Sequence, residues 1–81
     1  MTYVYILQSL CGAHFYVGMT SDLDERLKLH NAGKVTHSAK HAPWCIRTFI
    51  AFTDRTQAFS FERYLSASGR AFRHEAVLGD W

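Results

Sequence analysis

A chain of 81 residues holds one domain (1–81) with a small core, because a second core could not bury enough surface to offset its ordering entropy. Hydrophobic residues make up 48% of it and charged residues 20%, which excludes a disordered tail and fits a globular fold. Nine Lys and Arg against seven Asp and Glu leave a formal charge of +2, which permits a nucleic-acid partner without arguing for one.

Residues 2–8 alternate Tyr3, Tyr5 and Leu7 with Val4 and Ile6, so the expected strand is apolar on both faces and should be central in a sheet. Residues 9–13, with Gly12, have the length of a hairpin loop, and 14–18 resume strand character. The pair is expected to be antiparallel, with Tyr5 and Tyr16 close to each other. Either tyrosine is also read as an aromatic that packs its ring and finds a partner for its hydroxyl. Thr20 and Ser21 then open a helix: Ser21 and Asp24 match the Ser-x-x-acid cap, and Asp22, Asp24 and Glu25 suit the positive helix end. Leu23, Leu27 and His30 share its inner face, Arg26 and His30 stand four residues apart, and Gly33 is placed for a left-handed stop. From helix pattern alone, Arg26 reads as a half-exposed cation paired with a carboxylate such as Asp22, and His30 as a histidine at the core edge.

Residues 34–44 break periodicity and collect Lys34, His37, Ser38, Lys40 and His41 before Pro43, which reads as a loop, either solvated or facing a phosphate backbone. Residues 45–52 form a third strand by their β-branched and aromatic content, with Arg47 toward ligand or solvent. Thr56 is the expected N-cap of a second helix to about residue 67, with Ala58, Phe61 and Leu65 as its buried row and Gly69 as its stop. Glu62 beside that row reads as an exposed helix residue, since a buried carboxylate needs a cation or an arginine. Residues 70–78 suit a last short helix with Phe72 inward. Cys11 and Cys45 form no Cys-x-x-Cys pair, which argues against a zinc site or a disulfide framework. No apolar run approaches the ~18 residues of a membrane helix, and no secretory leader pattern opens the chain, so a cytoplasmic protein is expected.

Taken together, Tyr5, Tyr16, Gly18, Thr20, Arg26, His30 and Glu62 stand in an order and spacing that resembles the GIY-YIG endonuclease superfamily, in particular its small stand-alone bacterial members. The first motif element appears as Tyr3-Val4-Tyr5 and the second as Tyr16-Val17-Gly18; Glu62 follows within Gln-Ala-Phe-Ser-Phe-Glu-Arg-Tyr-Leu, and residues 68–72 resemble the family's tail. The resemblance implies an α+β fold, a small three-stranded antiparallel sheet flanked by helices. It also implies metal-dependent hydrolysis of phosphodiester bonds, with DNA favoured over RNA as the substrate and a setting in structured or damaged DNA and its repair; the short chain, with no added recognition domain, points to low sequence specificity.

By the same resemblance the catalytic set is Tyr5, Tyr16, Arg26, His30 and Glu62, with Gly18 and Thr20 as motif residues at the turn. Tyr5 is the expected general base, Tyr16 orients it or the water, and Arg26 donates to the scissile phosphate. Glu62 is the expected ligand of one Mg²⁺ or Mn²⁺, weakly bound without substrate because one carboxylate leaves most of the shell to water and phosphate. For Tyr5 to ionise near neutral pH, its pKa of about 10 must fall by about three units, or its proton must pass onward through His30 as the water attacks. Backbone contacts are expected from Lys34, Lys40, Arg47, Arg63 and Arg70. Two positions depart from the family pattern: Tyr3 stands in place of glycine, and Ser66 where close relatives carry lysine, which removes one phosphate contact. The alternative is a module that keeps the fold and binds nucleic acid or a repair partner without cutting.

Overall fold

β1 (Thr2–Ser9) is apolar on both faces, and it takes the central place in a sheet of order β2-β1-β3, antiparallel to β2 (Phe15–Thr20) on one side and β3 (Trp44–Phe52) on the other. The structure is a computed structural model that describes residues 1–10 and 12–67. Helix α1 (Leu23–Asn31) follows β2, a single 3₁₀ turn spans Ala39–His41, and helix α2 (Arg55–Ala67) follows β3. The α+β class and the three-stranded antiparallel sheet are those expected.

The two faces of β1 make two cores. Val4 and Ile6 pack with Ala58 and Leu65 of α2, enclosed by Phe15, Val17, Met19, Phe52 and Phe61. Tyr5 and Leu7 pack on the other face with Trp44, against Tyr16, Leu23, Leu27, Ala42 and Ile46. The helices therefore cover opposite faces of the sheet, and every side chain of β1 from Val4 to Leu7 is buried.

Register brings Tyr5 opposite Gly18 and Leu7 opposite Tyr16. Directly paired residues point to the same face, and the Tyr5 ring lies across the space a side chain at position 18 would fill. A Cβ there would collide with the Tyr5 hydroxyl and ring. Glycine at this position is a steric requirement of the tyrosine beside it.

Several local expectations shift. The N-cap of α1 is Asp22 rather than Ser21: its Oδ1 accepts from Glu25 N–H at 3.1 Å. Thr20 sets the change, because its Oγ1 accepts from Asp22 N–H at 3.1 Å and holds a turn that starts the helix one residue later. The second helix is capped by Asp54 in place of Thr56; its Oδ1 accepts from Thr56 N–H at 2.8 Å, and a carboxylate is the stronger acceptor at a positive helix end. Gly33 ends α1 as expected, with φ of 75° and Lys34 N–H bonded to Leu29 O at 3.0 Å.

The segment after α1 is a loop with one 3₁₀ turn, as its composition suggested, and Lys34, His37 and Lys40 are exposed on it, but it is not solvated throughout. Ser38 is buried at its centre, and Trp44 begins β3 where the loop was expected to end. Trp44 is tied to α1 by the Asn31 carboxamide, which accepts from Trp44 N–H at 2.5 Å and donates to Trp44 O at 3.0 Å, much as a neighbouring strand would. The Gly69 stop, the expected helix over 70–78 and Cys11 lie outside the described residues.

Replacing Gly18 with Ala is expected to cost about 1–3 kcal/mol through overpacking, read as a lower urea midpoint with an unchanged denaturant slope. Equal stability of the two proteins would show that the Tyr5 ring yields its place freely.

Candidate active site

Tyr5 is only 2% exposed, yet its hydroxyl is shared by two polar side chains from α1. Its Oη lies 2.9 Å from His30 Nε2 and accepts from Arg26 Nε–H at 3.4 Å. The four-residue spacing of Arg26 and His30 puts both on the inner side of α1, and the helix is positioned by the Asp22 cap and by Leu23 and Leu27 in the core. Tyr16 completes the wall: its ring stacks on Tyr5 with centroids 6.5 Å apart and meets His30 edge-on at 4.7 Å. His30 is fully buried, and its Nδ1 is 2.6 Å from Ser38 Oγ. Arg26 thus turns to Tyr5, while the Asp22 carboxylate that would have paired with it serves the helix cap.

Burial pushes the Tyr5 hydroxyl above the usual tyrosine pKa; the Arg26 hydrogen bond and charge pull it down, and Tyr16 and Glu62 push it up further. The depression anticipated for a tyrosinate base is therefore absent in the free protein. The driving term is desolvation, which penalises the charged phenolate more than Arg26 favours it. Burial and the neighbouring Arg26 charge hold His30 below the ordinary histidine value. At neutral pH the pair is a neutral phenol against a neutral imidazole, with one cation beside it.

Glu62 stands on α2, across the sheet from α1, and is half-buried. Its Oε2 accepts from Ser66 Oγ at 2.8 Å, so the serine that replaces the family's lysine holds the carboxylate in place. Tyr5 lies over Gly18 of the edge strand β2, α2 packs against β1 and β2, and the Glu62 charge acts on the Tyr5 hydroxyl from that side. Among the described residues no three or more His, Cys, Asp and Glu gather as a metal cage. A lone carboxylate oxygen donor suits a hard cation that keeps its waters and takes the rest of its shell from substrate phosphate.

The expected backbone contacts are dispersed. Lys34 and Lys40 are exposed in the segment after α1, Arg47 is exposed on β3, and Arg63 is exposed on α2, its guanidinium 5.7 Å from the centroid of the Phe59 ring. Arg70 lies outside the described residues. Thr20 serves the turn before α1. Tyr3, at the other departure from the family pattern, meets Phe49 edge-on at 5.9 Å and lines an open groove of about 440 Å³ with Leu23, Ile46 and Asp24. Ser38, expected only as a solvated or phosphate-facing residue of a polar loop, is instead buried against His30; it follows no periodicity that would have placed it there.

A two-faced three-stranded sheet with a Tyr-Tyr-Arg-His cluster on one side and a helix-borne glutamate acting on it from the other defines a small α+β domain with a polar network built around one buried hydroxyl. The model of the GIY-YIG catalytic domain matches residues 1–75, and the chain belongs to the GIY-YIG family, a family of nucleases. A UPF0213 protein of Lacticaseibacillus paracasei is 35% identical over 79 residues, covering 96% of this chain and 86% of that protein. The solution NMR structure of a UPF0213 protein from Bacillus halodurans superimposes with a TM-score of 0.59 at 29% identity, over 99% of this chain and 86% of that one.

Because the folded His30 titrates below the ordinary value of about 6.5, the unfolded chain takes up that proton first as the pH falls. The stability tied to neutral His30 is complete above about pH 6.5 and is lost as the pH drops toward the folded pKa. NMR titration of the imidazole carbon-bound protons should place the His30 midpoint below 6.5; a midpoint above it would contradict the burial described.

Proposed function

We propose that this protein is a nuclease that hydrolyses phosphodiester bonds in DNA by attack of water, with Tyr5, Tyr16, Arg26, His30 and Glu62 as its catalytic set. The observation that carries this reading is the sharing of the buried Tyr5 hydroxyl by Arg26 and His30, with the Glu62 charge acting on the same oxygen. A cation and a neutral base on one hydroxyl, within reach of the charge of a carboxylate on α2, suit an anionic substrate whose attacking water must lose a proton.

Arg26 donates to the scissile phosphate and balances the charge that grows on its oxygens. Tyr5 takes the proton of the attacking water while passing its own to His30. This relay avoids a free phenolate, which burial disfavours. Tyr16 holds the rings of Tyr5 and His30 in place. Glu62 would hold one Mg²⁺ or Mn²⁺, whose chemistry is to neutralise charge on the departing 3′ oxygen.

Lys34, Lys40, Arg47 and Arg63 are exposed on different elements, which favours several backbone contacts over one base-reading surface. That distribution supports low sequence specificity; a branched or damaged duplex as substrate, and a repair setting in the cytoplasm, belong to the same proposal. The raised pKa of Tyr5 favours the second reading, a module that binds nucleic acid without cutting it.

Purified protein with Mg²⁺ or Mn²⁺ is expected to nick plasmid and branched DNA. Arg26→Ala and Glu62→Gln are each expected to lower the rate about 10²-fold or more while the folded NMR spectrum persists. Salt-sensitive binding without cleavage under any divalent metal would decide for the second reading. Equal cutting by wild type and both variants would trace the activity to a contaminant.

A further inference from the structure

We infer that Ser38 is a positioning residue that fixes the His30 ring as the Nδ1–H tautomer, so that the bare Nε2 faces the Tyr5 hydroxyl as its proton acceptor. The inference rests on the nuclease reading for its catalytic consequence and on geometry alone for the tautomer.

The argument is an accounting of protons. Ser38 Oγ has one proton to give and two neighbours: His30 Nδ1 at 2.6 Å and the Val35 carbonyl oxygen at 3.3 Å. The carbonyl can only accept, whereas Nδ1 can donate or accept, so a hydroxyl that donates to the carbonyl receives its second hydrogen bond from Nδ1–H. Nε2 is then unprotonated and accepts from Tyr5 O–H at 2.9 Å, while the Tyr5 oxygen accepts from Arg26 Nε–H. Each proton in this series has one acceptor. In the opposite tautomer, Nε2–H and Arg26 Nε–H would both donate to the Tyr5 oxygen, and the phenolic proton would have no acceptor among the hydrogen bonds of the described residues.

Ser38 is only 1% exposed, although Thr36, His37 and Lys40 around it are exposed. Its backbone is held from three directions. Ser38 N–H donates to Val35 O at 3.1 Å, and its carbonyl accepts from His41 N–H at 3.2 Å and from Trp44 Nε1–H at 2.9 Å. These bonds hold the Ser38 hydroxyl in a fixed place against the His30 ring.

The chemical consequence balances as follows. A water O–H bond breaks, its proton passes to the Tyr5 oxygen, and the Tyr5 proton passes to His30 Nε2. The resulting hydroxide bonds to phosphorus, the P–O3′ bond breaks with its electron pair on oxygen, and that oxygen takes a proton from solvent water. His30 ends as an imidazolium, its Nδ1–H bond to Ser38 Oγ strengthened by the charge, and returns its proton to solvent.

The test compares wild type with Ser38→Ala and Ser38→Thr. Long-range ¹H–¹⁵N NMR should show a protonated Nδ1 and an unprotonated Nε2 for His30 in wild type and Ser38→Thr, and a mixture of tautomers in Ser38→Ala. On cleavable DNA, kcat of Ser38→Ala should fall about 10-fold or more with KM little changed, and Ser38→Thr should recover most of it. An Nε2–H tautomer in wild type, or an unaltered tautomer and kcat in folded Ser38→Ala, would overturn the inference. Absence of cleavage by wild type would count against the nuclease reading instead, since the tautomer spectrum is recorded without DNA.

Discussion

The hydroxyl of Tyr5, buried and shared between His30 and Arg26, is the constraint around which this small domain is arranged. It projects from the central strand, so the sheet cannot form without placing it. It is bonded by two residues of α1, so that helix cannot slide or turn along the sheet without leaving a polar group unpaired, at a cost of about 1–3 kcal/mol. No buried side-chain polar atom is left without a partner among the described residues, and the network around this oxygen is the reason on the α1 face. A core of this size with Tyr, His and Ser among its largest buried side chains gives up some apolar packing to keep that network.

Opposite fields meet at the same atom. Arg26 favours the phenolate, whereas burial, Tyr16 and Glu62 oppose it, and the opposition wins in the free protein. The balance is therefore sensitive to what occupies the site.

Much of this was legible in the residues. The apolar pattern on both faces of β1 foretold its central place, the Leu23-Leu27-His30 spacing foretold the inner face of α1, and Gly33 foretold its end. Of the five expected site residues, Tyr16, Arg26 and His30 meet Tyr5 directly, and Glu62 reaches it through its charge. The helix caps were misplaced because each has two candidate acceptors within two residues. The choice fell to a turn made by Thr20 and to a carboxylate at Asp54. Ser38 was read as a solvated or phosphate-facing loop residue because its burial is decided by Trp44 and Asn31, distant partners that no local window contains. The direction of the Tyr5 shift was hidden for the same reason: a motif names the charges near a group, whereas desolvation depends on the whole packed surround.

Gly18 and Tyr5 fill one volume between them, on two different strands. Their histories are coupled by that fact. A lineage that acquires a side chain at position 18 must displace or shorten the residue at position 5, and a shortened residue there loses the hydroxyl that Arg26 and His30 address. Positions 5 and 18 therefore vary as a pair, and the polar network of α1 depends on the smallness of a residue it does not touch.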